Sequence, residues 1–508
     1  MENRDKFRKS LEVEPDREDV RRLPLDFCLN NYCVVLEFPS RGVDKAVRVG
    51  MLHPDDPETV TKIEEEVGRE IETIQLNGFQ LRQAIAVGYD VAPRELSKKP
   101  VLALGEEVEI SFAEEQSPTR ILSSVLSEAV RRQASDVHLE NYGHEVDVRF
   151  RVDGILKQVS SPVSPENIKR IISKLKVMAE LDITERHQAQ DGHFTVSYEE
   201  EGEIRTIDIR LNVLPGPYGQ DAALRILDKK QFILDYEHLG MDSKFRNLYR
   251  ELLNRPDGIL LAVGPTGAGK TTTLYCAINE LVDAEKKIIT AEDPIEYEFE
   301  KVNQKQVSQH MDFPDYVRAF LRQDPDIIMI GEIRDVKTAQ NCLRAGNTGH
   351  LVLSTLHTGN SVTAISRLRS LEVNNDHLAE ALNGIIAQRL VRKICPDCKK
   401  KTEPPEWLIE RFYGEAGPDH PFYTGEGCKN CEGSGYRGRE GVFEFLIMDR
   451  KLRELIAEEA STETIWDYVH KTGFRSIYQH ALEKIEKGKT TLQEVARVIA
   501  PPMYTLEY

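Results

Sequence analysis

The stretch GILLAVGPTGAGKTTTLYCAINELV, residues 258–282, decides the fold of the largest part of this chain. An apolar run, GILLAV, reads as a short buried strand, and TTTLYCAINELV carries helical spacing. Between them GPTGAGKTT fits the pattern G-x-x-x-x-G-K-[ST], with the strand before it and the helix after it that the motif requires. Gly264, Pro265, Thr266, Gly267, Ala268, Gly269, Lys270, Thr271 and Thr272 are therefore the candidate nucleotide-binding residues. The glycines let the backbone approach phosphates, Lys270 offsets β- and γ-phosphate charge, and the helix N-terminus adds its dipole. Thr271 is placed to hold Mg²⁺ with ATP.

Working outward, the texture after about residue 240 is one of short apolar strands alternating with helices, as in a parallel sheet flanked by helices. Hydrolysis needs groups that orient water and steady developing charge, and such groups belong at the carboxyl edge of that sheet. ITAEDPIEY ends a strand with Glu292 and Asp293, and DPDIIMIGEIRD ends another with Glu332. TGHLVLSTLHT puts His350 and His357 at the two ends of a further strand, with His357 at the same edge as Glu332. A helix-capping or surface carboxylate is the bland reading of either acidic cluster. It weakens because both clusters close apolar strands that follow a P-loop.

Two Cys-x-x-Cys pairs, Cys395 with Cys398 and Cys428 with Cys431, have the count and spacing of a tetrahedral Zn²⁺ site with no open position for water. Such a zinc is structural, pinning a lobe over 393–440 that has little apolar sequence of its own. Cys28, Cys33, Cys276 and Cys342 are scattered and read as small buried hydrophobes.

The rest of the chain divides by composition. Residues 1–92 suggest a small α/β domain, 93–117 a polar, acidic linker, and 118–235 an α+β domain whose strands carry Arg149, Arg151 and Arg210 at alternate positions. The P-loop core spans 240–392, and 441–508 reads as a C-terminal helical region. At 508 residues and a net charge of −18 the chain is long enough for about three domains, and its field disfavours a phosphate backbone as partner. A nucleic-acid motor with a Cys₄ site is the competing class, and the basic run QRLVRKICPDCKKK is its only footprint. No apolar run approaches the ~20 residues that span a bilayer, so a cytoplasmic location is expected.

The succession GPTGAGKTT, AEDPIEY, LRQDPDIIMIGEIRD, TGHLVLSTLHT and AQRLVRKICPDC closely resembles the secretion traffic ATPases, the GspE/PilB family. QASDVHLE, FRVDG, GREGVFEFL and KGKTTLQEVARV extend the resemblance over about residues 117–500. It implies a RecA-like P-loop ATPase domain with a Cys₄ zinc lobe, preceded by a PAS-like domain and a small N-terminal α/β domain. It also implies a homo-hexameric ring that uses ATP, Mg²⁺ and Zn²⁺, with Glu332 as catalytic carboxylate. Glu292 then lies in the Asp box, His357 in the His box, and Arg210 and Arg225 reach the nucleotide from the PAS-like domain. Expected partners are the cytoplasmic part of an inner-membrane secretion platform protein, docked through residues 1–92, and anionic lipid, but not nucleic acid, so the chain would lie peripherally at the inner membrane. His193 departs from the arginine usual in that family, and Gln220 with Asp221 from the usual Gly-Glu-Lys. The short first domain and the absence of a cyclic-di-GMP motif favour the type II secretion branch, with type IV pilus assembly as the alternative. The resemblance places the zinc lobe in secretion and pilus-extension ATPases and not in retraction ATPases.

Overall fold

The computed structural model describes residues 17–31, 33–39, 45–51, 54, 57–76, 81, 84–85, 88–89, 102–104, 117–200, 203–228, 235–308, 310–415 and 417–500. The chain divides into two compact units, residues 1–150 with 156–227, and residues 151–155 with 228–508.

In the first unit, β1 (Cys33–Glu37), β2 (Val47–Met51) and β3 (Ile71–Gln75) make a three-stranded sheet, β1 antiparallel and β3 parallel to β2. Cys28 and Cys33 lie in its apolar core, as the sequence suggests. A second sheet has the order β4-β8-β9-β10-β5-β6-β7. Its strands are β4 (Leu102–Leu104), β5 (Asp136–Asn141), β6 (Val146–Val152), β7 (Ile155–Gln158), β8 (Gln190–Glu200), β9 (Glu203–Gly216) and β10 (Gly219–Leu227). In β8 the buried Phe194, Val196 and Tyr198 alternate with polar residues, as a strand with one covered face requires. Most of the expected linker, 93–117, lies outside the described residues. Three of its residues, however, are β4, which pairs in parallel with Val196–Tyr198 of β8.

The second unit is built on a seven-stranded sheet of order β13-β12-β14-β15-β11-β16-β19. The strands are β11 (Gly258–Val263), β12 (Ile288–Glu292), β13 (Asn303–Gln306), β14 (Ile327–Ile330), β15 (Leu351–Leu356), β16 (Leu382–Ile394) and β19 (Tyr436–Ile447). All are parallel except β19, which runs antiparallel to β16. Every residue of β11, β14 and β15 is buried, because helices cover both faces of the sheet. The P-loop strand is thus separated from the Glu332 strand by β15, which His357 directly follows.

The boundary expected at residue 440 is crossed by β19, which places residues 441–447 in the sheet rather than in a helical region. The zinc lobe, with its two-stranded β17 (Lys399–Thr402) and β18 (Phe422–Gly425), is inserted between the two long strands of this hairpin. The four helices from Arg450 to Val498 follow it.

The last of these helices, Leu492–Val498, is fastened to β16 by a fully buried carboxylate. Glu494 accepts from Arg392 Nη2 at 2.7 Å and from Arg497 Nη2 at 2.7 Å. Burial pushes this carboxyl up, and the bonds from Arg497 and Arg392 outweigh it, holding the group below its ordinary value. Its contribution is therefore complete above the unfolded carboxyl pKa of about 4.3 and lost as pH falls through the lower folded value. Glu494→Gln leaves two guanidinium groups without their charge partner, and a loss of roughly 3 kcal/mol is expected in urea unfolding at pH 7. The difference from the parent should shrink as the pH is lowered below about 4.

Candidate functional site

Gly264 ends β11 against the neighbouring strand, where a Cβ would meet the Gln388 carbonyl at 2.6 Å. Only glycine lets the loop leave the sheet this close to β16. The loop closes at Gly269, whose φ of +87° caps the helix Lys270–Leu281. Lys270 is buried and donates to the carbonyls of Gly264 and Pro265, both at 3.0 Å. Burial pushes its ammonium down to about 8, with Glu332 opposing the shift and Arg389 adding to it. A cation desolvated in this way gains more from an arriving phosphate than an exposed lysine does.

Glu332 stands two residues beyond β14, and its loop is held by the hydroxyls of β15. Ser354 Oγ donates to Ile330 O and Thr355 Oγ1 to Gly331 O, each at 2.7 Å, and Ile333 N donates to Thr355 O at 3.0 Å. His357 Nε2 lies 3.5 Å from Glu332 Oε2, and Arg334 pairs with Glu332 Oε1. Burial and the charge of Lys270 hold the His357 imidazole below its ordinary pKa, which favours its neutral form near pH 7. The structure thus brings Lys270, Glu332 and His357 to one edge. Asp335, in the same GEIRD segment, is a helix cap, accepting from Thr338 N at 2.9 Å.

His350 is at the opposite edge, where its carbonyl accepts from Gly258 N at the start of β11 and its Nδ1 lies 3.1 Å from Ala345 O. Glu292 is enclosed. Its Oε1 accepts from Thr290 Oγ1 at 2.5 Å and Gln304 Nε2 at 3.0 Å, and its Oε2 from Tyr275 Oη at 2.5 Å. Tyr275 belongs to the P-loop helix, so Glu292 ties the Asp box to that helix. Asp293 instead faces outward, 3.7 Å from Arg334.

In the first unit Arg210 and Arg225 are cross-strand partners in β9 and β10, on one face of the sheet. His193 of β8 is opposite Arg210, and Asp136 of β5 is opposite Arg225, accepting from its Nε at 3.0 Å. The departure His193 therefore neighbours a candidate arginine directly. Asp221 accepts from Asn141 N at 2.8 Å, a contact that ties β10 to the end of β5.

The four cysteine sulfurs lie within 4.8 Å of one another. Cys395 to Cys428 is 3.8 Å, Cys398 to Cys431 3.8 Å and Cys428 to Cys431 3.7 Å. A tetrahedron of about 2.3 Å Zn–S bonds has edges of about 3.8 Å, so the set fits Zn²⁺. Main-chain N–H groups of Cys428 and Gly435 point at Cys431 Sγ, at 3.1 and 3.3 Å. Burial alone would raise that thiol, but these donors outweigh it and favour thiolate.

Several residues that support the site carry no motif of their own. Ser354, Thr355, Gln388 and Tyr275 are internal supports whose only sequence signal is a polar side chain inside an apolar strand or helix.

Comparison with known proteins identifies the family. The profile of the family described as type II/IV secretion system protein matches residues 112–497. The chain is 36% identical over 499 residues to type II secretion system ATPase E of Vibrio cholerae, covering 95% of this chain and 97% of that protein. It is 35% identical over 518 residues to type IV pilus assembly ATPase PilB of Myxococcus xanthus, covering 98% and 89%. Among solved structures, the pilus retraction motor PilT with bound ADP aligns with a TM-score of 0.50 at 28% identity, over 75% of this chain and 97% of that one.

Purified protein is expected to hold about one zinc per chain by elemental analysis, since four thiolates close one tetrahedral site. Strong chelation should unfold the lobe between β16 and β19, read as new protease cleavage within 395–435 while the P-loop core stays resistant. Retention of a protease-resistant lobe after zinc is removed would refute the structural role.

Proposed function

The chain belongs to the type II/IV secretion system protein family and is an ATPase of that family, and from that premise we propose that it is the ATP-hydrolysing motor of a type II secretion system. In this reading a homo-hexameric ring couples hydrolysis to pseudopilus assembly and export of proteins across the outer membrane. The observation that carries it is the convergence of Lys270, Glu332 and His357 at one sheet edge, in a chain that shares nearly its full length with a type II secretion ATPase. Among the described residues no helix is long and apolar enough to cross a membrane. The reading therefore assigns membrane contact to a platform partner docked by residues 1–92, and to anionic lipid.

Each part of the site has a separate task. The P-loop amides and Lys270 hold the polyphosphate, and Thr271 supplies the hydroxyl that would hold Mg²⁺. Magnesium, when bound, neutralises charge between the β- and γ-phosphates. Glu332 orients or deprotonates the attacking water, with neutral His357 beside it as a second hydrogen-bonding group. The spread negative charge on the transferring phosphoryl oxygens calls for guanidinium donors, which this reading assigns to Arg210 and Arg225. In this reading, conformational change on ATP binding and its reversal after hydrolysis give the mechanical stroke. Zinc supplies a fixed lobe and no chemistry of the reaction.

Type IV pilus assembly is the second reading, favoured by the PilB relative, which matches 98% of this chain. Deleting the gene separates the two. Retention of folded exoproteins in the periplasm is expected, whereas loss of surface pili with secretion intact selects pilus assembly.

Glu332→Gln is expected to lower ATP turnover by about 10²-fold or more while ATP affinity changes by less than about threefold. Normal steady-state turnover by that variant would remove Glu332 from the mechanism.

A further inference from the structure

Arg389 is a half-buried cation on β16, and among the described residues no carboxylate lies within 4 Å of it. Carbonyls hold it instead. Its Nη1 donates to Gln388 O at 2.9 Å and its Nη2 to Gly359 O at 2.7 Å. A guanidinium taken out of water without a charge partner is costly, so the position is not one that stability alone favours.

Its neighbours are those of the reaction. Arg389 follows Gln388 on β16, and the Gln388 side chain donates to Ala268 O of the P-loop at 2.7 Å. The Arg389 guanidinium passes over the end of β11, where Nη1 lies 3.4 Å from the place a Cβ would take on Gly264. It then grips Gly359, two residues beyond His357. That loop runs directly into the helix Ser361–Arg369, whose first N–H donates to the buried Glu444 at 2.9 Å. Gly359 is thus the last point at which the His357 loop can be adjusted before the chain is fixed again.

We propose that Gln388 and Arg389 are positioning residues for hydrolysis: Gln388 holds the P-loop, and the Arg389 fork sets the His357 loop against it, so that phosphate occupancy and the His357–Glu332 pair are mechanically linked. The proposal rests on the reading of His357 and Glu332 as hydrolytic groups. Lysine at 389 keeps the positive charge near Lys270 but, as a compact ammonium, lacks the rigid fork that spans two carbonyls. Arg389 is thereby distinguished from a simple counter-charge.

The test is a double-mutant cycle on ATP turnover and ATP binding in the full-length protein, with Arg389→Lys, His357→Ala and the pair. Arg389→Lys is expected to lower kcat by about tenfold while the ATP Kd stays within about threefold. In the His357→Ala background the same change should cost less than about twofold, because the group it positions is already gone. Arg389→Gln, which keeps one donor for Gly359, serves if the lysine variant does not fold. Full additivity of the two changes, or an unaltered kcat in Arg389→Lys, overturns the proposal. An unaltered kcat in His357→Ala alone sinks instead the reading of His357 on which it rests.

Discussion

Parallel pairing of β15 between β11 and β14 is the constraint on which the site depends. Three motifs separated by up to nearly ninety residues become neighbours because their strands share one sheet and end at one edge. Had β11 and β14 been adjacent, Glu332 would sit directly beside the P-loop and no strand would deliver His357 between them. The interposed strand also supplies Ser354 and Thr355, whose hydroxyls hold the Glu332 loop. A buried strand that spends two of its six side chains on a neighbour's backbone gives up apolar contact for position.

The hydrogen-bonded carboxylates divide by depth rather than by motif. Glu292 and Glu444 are almost completely buried, and each accepts several bonds, Glu444 from Ser361 N, Ser361 Oγ and Ile477 N. Glu444 therefore caps two helices at once, one following the His box and one near the C-terminus. Glu332 and Asp293 keep access to solvent and face Arg334. Proximity of acidic residues in sequence does not reveal this division, because neighbouring residues on a strand point to opposite faces.

Much of the fold was legible where the signal is local. The P-loop, the apolar strands that end in acidic residues and the paired cysteines each carry their chemistry within a few residues. What escaped reading was set by long-range pairing. The sequence of β19, YRGREGVFEFLI, lies beyond the second cysteine pair, and only its register with β16 shows that it completes the nucleotide-binding sheet. The three residues of β4 gain their strand from β8, and a charged, irregular neighbourhood hides them. In sequence Arg389 is part of a basic run, and its environment is set by long-range contacts with Gly264 and Gly359.

The hairpin of β16 and β19 has a bulge near the zinc lobe, where the step from Arg392 to Ile394 faces the step from Arg439 to Tyr436. One additional residue on β19 there breaks the alternation just before Cys395. Side chains in a strand repeat with period two, so the facing of the lobe is a matter of parity. Lengthening both strands by an even number would move the lobe outward and keep its orientation, whereas an odd change would turn it over. Changes in the reach of this hairpin that keep the facing of the lobe therefore come in steps of two, unless a second bulge restores the sense.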